Sequence, residues 1–201
     1  MKTLVIIDAQ NDFMPGGSLE VPGGDQILPV INRIQDRFDL VVATQDWHPE
    51  NHSSFASSHE GNNPFDTIEW QGMEQILWPD HCVINSTGAE FHQDLHKARI
   101  EAIFRKGMDR EIDSYSGFYD NGHKKNTGLA GYLRERNAGG LYFGGLAADV
   151  CVRFTVEDAL KEGFKATVIE DATRPIDLDG YGKIKKELED KGCRFIGSSQ
   201  L

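Results

Sequence analysis

The stretch GGLAADVCVRFTVEDAL, Gly144 to Leu160, sets one thiol, Cys151, behind a glycine pair and at the head of an apolar-periodic segment. Val152, Val156, Ala159 and Leu160 repeat at helical spacing, which predicts a helix with Asp149 as N-cap and Cys151 in its first turn. The unpaired N–H groups and partial positive charge of a helix start favour a thiolate, the form that attacks carbonyl carbon. Free cysteine is also among the most buried residue types, so on this stretch alone core filling and nucleophile both stand. Other polar groups follow apolar runs elsewhere in the chain. Asp8 ends TLVIID, Asp46 and His48 follow LVVATQ, and Lys106 follows IEAIFR. A carboxylate beside a thiol can take its proton, and an ammonium can stabilise the anion that results. Backbone N–H groups in the turn before Cys151 can meet a developing oxyanion, the other requirement of acyl transfer. Each residue has an ordinary reading as a cap, a turn or a solvated charge. Their shared position after separate strands favours chemistry, without a histidine as base.

Asp46-Trp47-His48 offers a carboxylate and an imidazole two residues apart, and one more histidine would complete a facial site for a divalent metal. The candidates are His52, His59, His81, His92, His96 and His123. His81 follows Trp78-Pro79-Asp80, whose rigid and aromatic residues can hold it in place. His92 and His96, four apart in EFHQDLHKA, read as an exposed pair on one helix face and as a decoy.

Parallel strands and helices must position these groups. Branched apolar runs predict strands at Thr3–Ile7, Leu40–Ala43, Ile100–Phe104, Leu141–Phe143, Ala166–Ile169 and Arg194–Ile196. Helical segments are expected over Gln26–Arg37, Gly128–Asn137, Val150–Glu162 and Gly180–Lys191, with Gly163 and Gly192 as stops. This alternation, with strands apolar on both sides, predicts a parallel sheet covered on both faces, whose ligands bind outside the carboxyl ends of the strands. The rhythm breaks at about Trp47 to Lys97, poor in strand signal and holding six of the seven histidines. Such an insertion reads as functional. Within it, WQGMEQILWPD with Trp70 reads either as part of a lid or as ordinary loop packing.

The chain of 201 residues suits one domain, residues 1–201, with a metal-site insertion at about 47–98. A net charge of −11 argues against nucleic acid or an anionic membrane as partner and favours a small molecule. Three widely spaced cysteines without a CxxC pair imply a reducing compartment, and the opening MKTLVIIDAQNDF is too soon interrupted for a signal peptide. The expected location is cytoplasmic, and the sequence leaves the oligomeric state open.

Over nearly its whole length the chain resembles the nicotinamidases (pyrazinamidase-like) of the isochorismatase-like cysteine hydrolase superfamily. The residues that carry the resemblance are VIIDAQNDFMPGGSLEVPGGDQILPVIN, TQDWHPENHSSFA, WPDHCV, FRKGMDREIDSYSGF and GGLAADVCV. It implies the isochorismatase-like hydrolase fold, a three-layer α/β/α arrangement with a mostly parallel central sheet. It also implies hydrolysis of nicotinamide to nicotinate and ammonia through a cysteine thioester, in NAD salvage. By motif it assigns Asp8, Lys106 and Cys151 to catalysis and Asp46, His48 and His81 to a divalent metal, zinc foremost, with iron or manganese also accommodated. It places Phe13, Trp78 and Tyr115 at the pyridine pocket and makes the oxyanion hole from the amides of Ala147 and Cys151, with a cis peptide before Ala147. The chain departs from the family in having Ala148 where threonine is common, and His52 competes with water for a fourth metal position. Other functional expectations are a superfamily hydrolase acting on an N-carbamoyl or related amide, and a catalytically silent binding protein.

Overall fold

The computed structural model describes residues 1–201. In chain order the strands are β1 (Lys2–Ile7), β2 (Leu40–Asp46), β3 (Thr67–Trp70), β4 (Met73–Ile76), β5 (Ile100–Lys106), β6 (Gly140–Leu146), β7 (Lys165–Arg174) and β8 (Arg194–Ile196). The α-helices are α1 (Ile27–Ile34), α2 (Leu129–Glu135), α3 (Cys151–Lys161) and α4 (Leu178–Asp190). Six strands form one sheet in the order β5-β2-β1-β6-β7-β8, with every adjacent pair parallel. The chain lays strands outward on one side of β1 and then returns to the other, so the order reverses between β1 and β6. That reversal opens a crevice at the carboxyl ends of the strands.

Alternation along β1 sends Leu4 and Ile6 to one face and Val5 and Ile7 to the other. The first face is covered by α1, through Ile27, Leu28, Ile31 and Ile34, the second by α2, α3 and α4, through Leu133, Val156 and Leu188 among others. This is the three-layer α/β/α arrangement. Pro29 falls in the first turn of α1, where its missing N–H interrupts no helical bond. Each fully buried branched chain such as Ile31 contributes about 1.5–3 kcal/mol relative to exposure.

Some elements differ from expectation. The edge strand β5 alternates exposed and partly buried residues, with Glu101, Ile103 and Arg105 outward, rather than being apolar on both sides. The predicted helix over 26–37 is α1 with a 3₁₀ turn at either end. The segment at 92–96 is a turn, not a helix, so His92 and His96 share no helix face. The stretch poor in strand signal holds the antiparallel hairpin β3–β4, turned through Gln71 and Gly72, both at positive φ. Gly144 and Gly145 lie inside β6 rather than in a turn. Gly145 has φ +120° and comes so close to β1 that a Cβ there would sit 1.9 Å from the Ile7 oxygen. No helix is long and apolar enough to cross a membrane.

Candidate active site

Four neighbouring strands deliver the polar groups. Lys106 ends β5, Asp46 ends β2 directly beside it in register, Asp8 follows β1, and Cys151 opens α3 after β6. Lys106 is the hub. Its Nζ lies 2.9 Å from Asp8 Oδ2, 2.9 Å from Asp46 Oδ1 and 3.5 Å from Cys151 Sγ, and donates to Ser114 O at 3.0 Å. The carboxylate contacts are charge contacts rather than well-angled hydrogen bonds. Thr44 Oγ1 donates to the other Asp8 oxygen at 2.6 Å, and Asp8, Asp46 and Cys151 have ligand-type atoms within 4.8 Å of one another.

All of these groups are buried, and burial governs their ionisation. Burial and the Asp46 charge raise the Asp8 carboxyl above the usual range, although Lys106 opposes them. Burial would also raise Asp46, but His48 and Lys106 hold it well below the ordinary value. Burial works against the Lys106 ammonium and is outweighed by Asp46 and Asp8, which lift its pKa well above the ordinary lysine value. Cys151 goes well above the ordinary thiol range because burial dominates and Lys106 only partly offsets it. The helix start favours a thiolate, and burial pushes this thiol the other way. Asp149 is not the N-cap. Val150 occupies that position, and the Asp149 carboxylate instead accepts the amides of Ile176 and Asp177 at 3.0 and 2.8 Å. The peptide between Leu146 and Ala147 is cis, and neither the Ala147 nor the Cys151 amide donates to another backbone carbonyl.

Beside the lysine, Asp46 Oδ2 faces His48 Nε2 at 3.3 Å and His81 Nε2 at 3.6 Å. Each imidazole uses its Nδ1–H on a carbonyl, Gly107 O at 3.0 Å and Pro79 O at 2.7 Å. In the neutral rings both Nε2 lone pairs then point at a carboxylate, and His48 Nε2 is a buried atom with no hydrogen-bond partner. Such a group calls for a cation. A proton answers in part, since Asp46 lifts the His48 imidazole above its ordinary range against burial. A divalent metal ion fits the donor set as a whole, two imidazoles and a carboxylate with the remaining nitrogens fastened behind. Gly107 makes room for this packing, because a Cβ on it would lie 2.4 Å from His48 Cε1.

His52 is buried against the same ring, 4.4 Å between centroids, but both its nitrogens are engaged. Nδ1 accepts from Ser54 Oγ at 2.7 Å and Nε2 donates to Asp109 O at 2.8 Å. Burial and the neighbouring His48 charge press its pKa down to about 4. The other three histidines of the insertion lie elsewhere. His59 packs on Trp70, and His92 and His96 lie outside the group.

Phe13, Trp78 and Tyr115 wall a pocket that also touches Asp46, His81, Ala147 and Cys151. Trp78 Nε1 donates to Tyr115 Oη at 3.3 Å, and Gln75 Nε2 donates to it at 3.0 Å. Trp70 does not line this pocket. It is tied down by its indole N–H on Glu111 O at 2.8 Å. Leu19, Val150 and Ile176 complete the apolar wall; Leu19 and Ile176 are single apolar residues in loops with no local signal, and Val150 reads only as the start of a helix. Asp113, also in the lining, was missed too. Gln10 was passed over as well: its side chain bonds both the Asp46 amide and carbonyl at 2.8 Å, which fixes the end of β2.

A chain with a buried thiol, carboxylate and ammonium around a small aromatic pocket is equipped for acyl transfer on a flat, small substrate. The isochorismatase domain model matches residues 2–200. The chain belongs to the isochorismatase family. It is 50% identical to a nicotinamidase of Acinetobacter baylyi over 177 residues, covering 88% of this chain and 83% of that one. A solved nicotinamidase/pyrazinamidase of Acinetobacter baumanii superposes with a TM-score of 0.97 at 47% identity, covering 100% of this chain and 97% of that one. A pyrazinamidase of Pyrococcus horikoshii, solved in complex with zinc, superposes with a TM-score of 0.80 at 36% identity, covering 98% of each chain.

Proposed function

We propose that this enzyme hydrolyses nicotinamide to nicotinate and ammonia, in NAD salvage, with Asp8, Lys106 and Cys151 as its catalytic residues. The observation that carries the reading is one ammonium, Lys106 Nζ, within 3.5 Å of both the thiol and two carboxylates beside an aromatic pocket. Asp8, whose pKa burial has raised, takes the Cys151 proton while Lys106 stabilises the thiolate as sulfur attacks the amide carbon. The Ala147 and Cys151 amides receive the carbonyl oxygen as charge develops on it. Asp8 returns the proton to the departing nitrogen, ammonia leaves, and water cleaves the thioester between carbonyl carbon and sulfur, which restores the thiol. Phe13, Trp78 and Tyr115 hold the ring flat so that the carboxamide meets the sulfur. Asp46, His48 and His81 hold a divalent metal, read as zinc, with iron or manganese compatible with the same donors. When bound, the ion supplies a Lewis-acidic position that suits an aromatic ring nitrogen. The relatives' names and the zinc bound in the Pyrococcus protein support this reading.

The test is ammonia release from nicotinamide, pyrazinamide and benzamide with metal-replete enzyme. Nicotinamide and pyrazinamide are turned over, whereas kcat/KM for benzamide falls by about 10²-fold or more, because a site built to fix a ring nitrogen is left with an unpaired polar group. Equal values for benzamide and nicotinamide would remove ring-nitrogen recognition. Absence of ammonia from nicotinamide would remove the reading itself.

The metal assignment has its own check. In His48→Ala or His81→Ala, zinc content by elemental analysis drops sharply, whereas His96→Ala, an exposed residue away from the group, retains it. Full zinc content in the His81 variant would take that residue out of the site.

A further inference from the structure

Asp113 is buried, 3% exposed, on the loop after β5, and its side chain lines the pocket with Asp46, His81 and Cys151. A buried carboxylate can accept about four hydrogen bonds and costs stability when it accepts few. This one has two protein partners: the Ser114 amide on Oδ1 at 2.7 Å, and Gln75 Nε2 on Oδ2 at the long distance of 3.4 Å. One of its oxygens lies within 4.8 Å of a ring nitrogen of His48 and one of His52. Neither histidine is hydrogen-bonded to it. The His48 Nδ1–H is spent on Gly107 O and its Nε2 has no hydrogen-bond partner, while the His52 Nε2–H is spent on Asp109 O and its Nδ1 accepts from Ser54. An under-satisfied carboxylate thus lies beside the imidazole of a residue assigned to the metal.

We propose that Asp113 is a positioning residue of the metal site: its carboxylate accepts a hydrogen bond from a water lodged between it and His48, and orients that water toward the bound ion. The inference rests on the assignment of Asp46, His48 and His81 to a metal and adds a residue that coordinates nothing itself. Its negative charge complements a divalent ion held by only one carboxylate and two neutral imidazoles. Outer partners of this kind typically change metal affinity by roughly 10- to 100-fold.

The experiment compares Asp113→Asn with wild type by zinc competition against a chromophoric chelator and by thermal unfolding of chelator-treated protein. The expected result is a zinc affinity lowered by roughly 10- to 100-fold with an unfolding midpoint, in the absence of zinc, no lower than wild type. A residue needed only to fasten the loop would give the opposite pattern. Unchanged zinc affinity overturns the proposal, and so does a lowered midpoint of the chelator-treated variant. Asp113→Ser, whose short oxygen can still take the Ser114 amide, provides the same comparison if the Asn variant does not fold. Asp46→Ala is run in parallel. If that variant also binds zinc as wild type does, the metal assignment has failed rather than the role of Asp113.

Discussion

Cys151→Ala loses ammonia release from nicotinamide by on the order of 10⁴-fold or more, while its fold and zinc content stay those of the wild type. The size follows from the mechanism, since no second thiol lines the pocket for Asp8 and Lys106 to activate: Cys82 is buried behind His81, where burial drives it well above the ordinary thiol range, and the free thiol of Cys193 is hydrogen-bonded to Arg194 O at β8. The small structural effect follows from position. Cys151 stands at the first residue of α3, where its side chain removes one heavy atom from a boundary between core and pocket. A stability change within about 1 kcal/mol is expected. Initial rates, a thermal melt and elemental analysis on one preparation separate the two effects. Wild-type turnover in this variant would make the thiol a core residue and end the thioester mechanism.

The strands were legible because branched apolar runs between helical stretches have few other uses, and all six strands of the main sheet lie where those runs fall. From that framework alone, Asp8, Asp46, Lys106 and Cys151 could be referred to one crevice, since each stands at a strand's carboxyl end. What could not be read was local. The hairpin β3–β4 has strands of four residues each, and its two-residue turn at Gln71-Gly72 lacks the usual asparagine or aspartate. Asp149 has the right side chain for a cap, but β7 ends beside it and offers the free amides of Ile176 and Asp177, so the carboxylate caps that turn instead. The effect of burial on the thiol is hidden from sequence for a similar reason. Helix-start charge is visible in sequence, whereas the burial that pushes the thiol the other way is a property of the packed molecule. Gln10 and Asp113 acquire meaning only from the strand ends and imidazoles that the fold places against them.

Lys106→Met should be the most damaging single change in stability, should also cut activity, and its damage should depend on pH. Methionine keeps the apolar stem and deletes the charge that lies 2.9 Å from Asp8 and 2.9 Å from Asp46. Breaking a buried pair by removing one partner costs about 3–5 kcal/mol, because the charge left behind is uncompensated. Turnover falls by on the order of 10³-fold, since the thiolate loses the ammonium beside it. The protein can relieve part of the stability cost by protonating Asp8, whose carboxyl is already raised by burial and by the Asp46 charge, and is raised further once Lys106 is gone. An acid whose folded pKa exceeds its unfolded value binds more protons when folded, so stability from this source is present at low pH and declines as pH rises through the shifted range. Relative to wild type, the deficit of chelator-treated Lys106→Met is therefore smallest near about pH 5 and grows toward about pH 8. Urea unfolding across that range measures it. A deficit that shrank with rising pH would mean the remaining carboxylates are not held charged against each other. Lys106→Arg sharpens the comparison: it restores a cation but brings a broad planar fork into space shaped for one ammonium. Recovered stability without recovered turnover in that variant would show that charge holds this part of the fold together, whereas activity also needs that charge at the position of Nζ.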